Sequence, residues 1–278
     1  MSTATQPQAR PQDRTAAVPT RSYAFRDSMT MLRRNLKRMQ RYPSMTIGIV
    51  AMPVLMLLLF VYVFGGAIGG GIGAGDRGDY TNYVVPGIIL MAVTSGTISV
   101  AVSVCTDMTE GIVNRFRTMA ISRGSVLTGH VLGNMVQVLV ILVLITCIAL
   151  AVGFRPNATP VEWVAALGLM LLLAFGLSWL SAAMGLRAKT VEAASNAPTP
   201  LTFLPFLGSA VVTPDSMPAG LRWFAEYQPF TPINETLRGL LLGTEIGNDA
   251  WIALAWCVGL GVVGYLWARS AFGRGVRR

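Results

Sequence analysis

Six long stretches of this chain carry no charge. Residues 42–75 run for 34 positions without Asp, Glu, Lys or Arg. Residues 80–106 run for 27, 124–154 for 31, 163–186 for 24, 193–214 for 22 and 250–268 for 19. An apolar helix needs about 20 residues to cross the bilayer core. Only 13% of the 278 residues are charged, about half the roughly 25% usual in soluble domains. An ordinary soluble core is therefore excluded. The pattern predicts an all-α polytopic membrane protein with six transmembrane helices, at about 45–64, 83–105, 129–153, 162–186, 197–213 and 250–268. The fifth is short and Pro-rich. Pro198, Pro200 and Pro205 interrupt it and Pro214 ends it, so a kinked or partly re-entrant span is expected. Such a span is tolerable only where protein shields the freed backbone groups.

The net charge of +9 would suit a nucleic-acid partner, but the basic residues sort by membrane side. With the N-terminus in the cytoplasm, the inside segments hold 18 Lys and Arg and the outside segments hold 4. This asymmetry orients the chain with both termini cytoplasmic and accounts for the charge without nucleic acid.

Several segments lie outside the spans. Residues 1–22, rich in Ala, Pro, Gln, Ser, Thr and Arg, read as a disordered tail rather than a secretory leader. In 23–42, Phe25, Met29, Leu32, Leu36 and Met39 share one helical face, while Arg33, Arg34, Lys37 and Arg38 lie among the basic residues around it. This is an amphipathic helix suited to an anionic membrane surface. Residues 107–123 form a second amphipathic stretch, with Met108, Ile112, Val113, Phe116 and Met119 on one face and Asp107, Glu110, Arg115, Arg117 and Arg123 supplying charge. Aromatic residues and Arg are common interface anchors, so this loop suits docking into a groove on a partner. Residues 214–247 read as two short helices at the outer interface, carrying Trp223 and Tyr227, residue types favoured there. Residues 43–270 form the single transmembrane domain, and 271–278 a basic tail.

Several activities are excluded by what the chain lacks. A phosphate-binding P-loop needs Gly-Lys-Ser/Thr, yet neither Lys37 nor Lys189 follows Gly. No acidic residue sits mid-span, which argues against a proton-driven carrier. Gly69–Ala74 fits G-x-G-x-x-A, but it follows a membrane helix rather than a strand, and a flexible exit from the first span is the plainer reading. GxxxG spacing there and at Gly129 and Gly133 permits close helix packing. The single His130 has no Gly-x-Ser-Gly partner motif, so it reads as a polar helix-end residue. Cys105, Cys147 and Cys257 lie in apolar runs with neither disulfide nor zinc-ligand spacing. Uncharged polar residues in the spans, among them Thr94, Thr97, Ser99, Asn134, Gln137, Ser178 and Ser181, suit interhelical hydrogen bonds. A substrate path past Thr94, Thr97, Phe203 and Phe206 is the sharper expectation.

Two stretches carry a family resemblance. One is 111–123, Gly-x-x-x-Arg-Phe-Arg-x-Met onward. The other is 217–241, with Gln228-Pro229 followed by Arg238-Gly239. Their order, between a basic interfacial helix and a last span, resembles the permease subunit of type-2 ABC exporters, within them the daunorubicin/doxorubicin-resistance-type drug efflux permeases. Two departures are Ala120, where the family often has Pro, and His130, where it often has a basic residue. The resemblance implies a permease dimer, expected as a homodimer, in a bacterial inner membrane. It implies two separate P-loop ATPase subunits carrying ATP and Mg²⁺, so that this chain is itself no enzyme and holds no cofactor. Asp107, Glu110, Gly111, Arg115, Phe116, Arg117 and Arg123 would then couple to the ATPase, with Arg33, Arg34, Lys37 and Arg38 beside them. Trp223, Gln228, Pro229 and Arg238 would belong to an outer gate. The cargo would be a drug, lipid or glycoconjugate. The alternative is a stand-alone proton-coupled or facilitative carrier.

Overall fold

The computed structural model describes residues 43–65, 77–110, 123–212 and 217–275, with Met29, Arg33 and Lys37 described singly as helical. Helix α1, Pro43–Leu58, continues into a π-helical turn, Leu59–Phe64. Helices α2, Arg77–Gly96, and α3, Ile98–Thr109, are separated only at Thr97, where one tight i→i+3 turn closes between the Thr97 N–H and the Thr94 carbonyl (3.2 Å). Helices α4, Arg123–Val152, and α5, Pro160–Arg187, follow. Then come three short pieces, α6 (Val191–Asn196), α7 (Thr199–Phe203) and a 3-10 turn (Leu204–Leu207). Helices α8, Ala219–Tyr227, α9, Phe230–Leu242, and α10, Asp249–Gly275, complete the described chain.

Local sequence sets these boundaries. Helix α5 starts at a capping box, where the Thr159 N–H donates to Glu162 Oε2 (2.6 Å) and the Glu162 N–H to Thr159 Oγ1 (3.4 Å). This satisfies two donors that a helix start otherwise leaves open, and Pro160 at the first position needs none. Helix α9 ends at Gly243, whose φ of 75° is the left-handed conformation that glycine adopts without a Cβ penalty.

Among the described residues, five helices are long and apolar enough to cross a membrane: Ile47–Phe64, Gly78–Thr109, Val126–Val152, Pro160–Arg187 and Asp249–Phe272. The second and fourth are central, with 72% and 61% of their most apolar windows buried, against 17–33% for the other three. Apolar side chains gain little from leaving lipid for protein, so helix association rests on close packing and hydrogen bonds. Small residues supply the packing. A Cβ on Gly185 of α5 would collide with the Ala101 carbonyl of α3, and one on Gly264 of α10 would sit 2.6 Å from the Leu180 nitrogen of α5. Gly129 and Gly133 are buried in α4, while Gly69 and Gly73 lie outside the described residues.

The fifth span is not one continuous helix. Pro198, Pro200 and Pro205 divide residues 191–207 into the three short pieces, because each proline lacks the N–H that would continue the ladder. The segment nevertheless runs the depth of its neighbour. Near its start, the Cys105 thiol points to the Thr190 carbonyl (3.4 Å), and at its end Ala210 lies against Gly87. From Gly87 to Cys105, α2 and α3 rise about 27 Å at 1.5 Å per residue, close to the bilayer core. Four of the other spans begin or end a few residues beyond the charge-free runs, whereas α1 and its π-helical turn lie within theirs. Helix α2 starts at Arg77 and α4 at Arg123, because helices extend through the interface into charged positions.

Replacing Gly185 with Leu is expected to lower the unfolding temperature of the purified protein. Overpacking of this kind costs about 1–3 kcal/mol. Gly168→Leu, where a Cβ meets nothing within 4 Å, serves as the control. Equal melting of both variants would show that the α3–α5 approach is not limiting.

Candidate functional site

Polar residues concentrate at two levels of the bundle. The first lies where α3 and α4 flank the loop at 111–122. Asp107 and His130 are buried there, 3% and 6% exposed, and His130 Nε2 meets Asp107 Oδ2 at 2.9 Å. Around them stands an apolar cluster of Val104, Leu127, Val131, Trp179, Ala183 and Phe272, drawn from four helices. Two turns deeper, Ser99 Oγ donates to Asn134 Oδ1 (3.2 Å), and Asn134 Nδ2 donates to Ser178 Oγ (2.9 Å). Ser178 Oγ donates in turn to the Ala174 carbonyl (2.6 Å). One connected set thus joins α3, α4 and α5.

The second level is where the broken fifth segment ends. After Leu207 the chain leaves helical geometry, with Gly208 at φ −115° and ψ −153°. The next carbonyl, that of Ser209, accepts from three side chains: Arg238 Nη2 (2.8 Å), Asn234 Nδ2 (3.1 Å) and Tyr83 Oη (3.3 Å). Arg238 is 8% exposed. Its Nη1 donates to both Glu235 carboxylate oxygens (2.6 and 2.7 Å), and its guanidinium lies 3.9 Å over the Tyr83 ring. Gln228 is packed over Gly208 and is 4% exposed, and its amide atoms have no hydrogen-bond partner among the described residues. Helix α9 therefore holds the place where the fifth segment unwinds.

An apolar cavity of about 330 Å³ opens among α2, α4, α5 and α9, lined by Ile89, Leu142, Cys147, Trp163, Met170 and Leu237 among others. No group of three or more potential metal ligands occurs among the described residues.

Residues 27–242 match the family described as ABC-2 type transporter. The chain belongs to that family. It is 30% identical over 246 residues to the daunorubicin resistance ABC transporter permease protein DrrB1 of Streptomyces coeruleorubidus, covering 88% of this chain and 84% of that protein. It is 22% identical over 238 residues to the probable doxorubicin resistance ABC transporter permease protein DrrC of Mycobacterium tuberculosis, covering 85% of each.

The structure of this ABC-2 family member places the expected site residues unevenly. Gly111, Arg115, Phe116 and Arg117 lie outside the described residues, as do Arg34 and Arg38. Glu110, Arg33 and Lys37 are exposed, and Arg123 opens α4. Asp107 belongs to the last turn of α3, is buried and meets His130. Thr94 and Thr97 are each 1% exposed and bond backward along their own helix, Thr94 to Met91 (2.8 Å) and Thr97 to Thr94 (2.7 Å). Phe203 is exposed and half-buried Phe206 stands beside it, ring centroids 6.3 Å apart. Of the outer residues, Gln228 and Arg238 meet the unwound segment, and Pro229 precedes α9. Trp223 lies apart on the exposed face of α8, against Tyr227.

Sequence reasoning missed the pairing of Asp107 with His130, the burial of Arg238, and the cavity. A usable signal existed for the first, because Ser95, Ser99, Ser103 and Asp107 recur every four residues and so form one polar stripe.

If the three donors hold the unwound segment, Arg238→Gln should free it. In a Cys147→Ser background carrying Val211→Cys, thiol labelling by a membrane-permeant reagent is expected to rise about tenfold when Arg238→Gln is added, a loosening of about 1.4 kcal/mol. An unchanged rate would show that Arg238 does not secure residues 208–212.

Proposed function

We propose that this chain is the permease of an ATP-driven exporter that moves a hydrophobic or amphipathic molecule out of the cytoplasm or inner leaflet. The observation that carries this reading is the match across 27–242, together with relatives named as drug-resistance ABC permeases. The apolar cavity supports an apolar cargo. The 18:4 distribution of Lys and Arg supports an orientation with both termini cytoplasmic, and the bacterial relatives support a bacterial inner membrane.

In this reading a second copy completes the translocation unit, and two separate P-loop subunits bind ATP and Mg²⁺. A conformational change needs a ligand that favours one state. ATP is that ligand, and closure of the ATPase pair is felt through the loop at 107–123. Phe116 serves as the buried anchor, with Glu110, Arg115 and Arg117 around it. The basic segment with Arg33, Arg34, Lys37 and Arg38 lies beside the same partner. The displaced loop then moves α3, the inner half of the central second span, against the broken fifth segment.

Purification of the tagged protein from its native membrane in mild detergent tests this. A P-loop polypeptide is expected in equal amount, and Phe116→Asp is expected to release it. A protein that emerges alone, in a preparation without ATP hydrolysis, would contradict the exporter reading and favour a stand-alone carrier.

A further inference from the structure

We propose that the apolar cavity among α2, α4, α5 and α9 is a binding site for one acyl chain of a phospholipid, drawn from the leaflet beside the turn that joins α4 to α5. The proposal goes beyond the exporter reading and does not rest on it. An apolar cargo would reach the same walls only by displacing that chain.

The cavity has the depth of one leaflet. Its α4 wall runs from Leu142 to Cys147 and its α5 wall from Trp163 to Met170. Leu142 lies ten residues before the end of α4 at Val152, and Met170 ten residues after the start of α5 at Pro160. At 1.5 Å per residue both walls reach about 15 Å inward from the turn, half of a hydrocarbon core of about 30 Å. Floor and mouth differ in exposure. Met170, Leu237 and Leu241 are each 1% exposed, whereas Val143 and Val164 are 55% and 71% exposed. The cavity therefore opens sideways between α4 and α5, toward the lipid in which those spans lie.

The lining selects the occupant. No charged side chain lines the cavity, and Thr146 supplies its one hydroxyl. Charged and strongly polar ligands are excluded, because burying such groups without partners is unfavourable. Water is excluded too, since apolar cavities stay dry. A helix from a second copy is too thick, because one turn, about 10 Å across and 5.4 Å long, fills about 420 Å³. The cavity holds about 330 Å³. A slender hydrocarbon chain suits it, and the bilayer supplies such chains at its mouth. Apolar walls without neighbours forfeit dispersion contacts, and close packing is what favours association inside a membrane.

The rim matches the other end of such a molecule. Above the α4 wall stands Arg155, exposed, with its Nη1 donating to the Leu150 and Phe154 carbonyls (3.2 Å each). Leu150 is one turn beyond Thr146. The Arg155 backbone N–H is fixed by Asn82 Oδ1 (2.9 Å). Above the α5 wall stands Glu162, also exposed. One cation and one anion at the headgroup level suit the phosphate and ammonium of a zwitterionic phospholipid. Trp163 follows at the depth that indole side chains favour. A chain seated below packs on Leu237 and Leu241 of α9, the helix whose Asn234 and Arg238 hold the Ser209 carbonyl.

Photolabelling tests this. The full chain, with any subunits that accompany it, is placed in vesicles containing phosphatidylethanolamine that carries a diazirine midway along one acyl chain. After illumination the labelled residues are mapped by mass spectrometry. Lipid that merely surrounds the protein reaches exposed positions such as Val262 and Leu266 of α10. A chain inside the cavity is expected to label Met170, Leu237 or Leu241 as well. Ala166→Phe places a ring in the cavity and is expected to lower that inner labelling about fivefold or more, the lower bound of what overpacking imposes. Labelling of Val262 and Leu266 is expected to stay unchanged. Should Ala166→Phe fail to accumulate, Cys147→Phe takes its place, since Cys147 is exposed at the cavity and lies on its α4 wall.

Labelling confined to exposed positions would overturn the proposal, whether a cargo molecule or a second copy covers the walls. Inner labelling that survives the filling substitution would overturn it as well. Oxidative crosslinking of Cys147 to Cys147 in place of inner labelling would identify a second copy as the cover.

Discussion

A backbone carbonyl in a membrane has no water to turn to, and the structure around Ser209 follows from that. Three prolines and an unwound stretch leave the fifth segment without a continuous ladder of its own. The Ser209 oxygen then accepts from Arg238, Asn234 and Tyr83. Those donors come from α9 and α2, so the short outer helices have to fold back against the bundle. An unsatisfied backbone group at this depth costs several kcal/mol. The same requirement explains a nearly buried Arg238, its Glu235 partner, and the absence of a side chain at Gly208 beneath Gln228.

The other half of the bundle is tied differently. There α3, α4 and α5 carry no proline beyond the first position, and side-chain pairs and glycine contacts join them. The Asp107–His130 pair and the Ser99–Asn134–Ser178 set join α3, α4 and α5. Each tie is modest, since interhelical hydrogen bonds in membranes average about 0.6 kcal/mol. They gain leverage because they act in series beside the loop at 111–122. A firm block at one level and a jointed segment running beside it is an arrangement that suits a permease driven from one side.

Much of the fold was legible in the sequence, because charge-free length and the bilayer's demand on a helix are the same constraint. The five continuous spans follow from it, and the prolines at 198, 200 and 205 marked the broken one. Side-chain placement was less legible. Arg238 sits in a segment that reads as outer loop, and only the three-dimensional position of the Ser209 carbonyl explains why it is buried. Thr94 and Thr97 stand out in the sequence as uncharged polar residues within a span; in the structure each hydroxyl bonds back to the preceding turn. The cavity gathers residues from four separated helices, and no local pattern announces such a meeting. Asp107 read as one of the charges of the amphipathic loop stretch 107–123. The four-residue stripe of Ser95, Ser99, Ser103 and Asp107 pointed inward instead.

The central claim is that residues 191–212 cross the membrane although they form no single helix, so that five continuous helices and one jointed segment leave the two ends of the chain on the same side. Single cysteines at Thr15, Arg222 and Arg277, placed in a chain with Cys105, Cys147 and Cys257 replaced, test it directly with a membrane-impermeant thiol reagent. The account predicts that Thr15→Cys and Arg277→Cys react only from the cytoplasmic side and Arg222→Cys only from the opposite side. Labelling of Thr15→Cys and Arg277→Cys from opposite sides would contradict it.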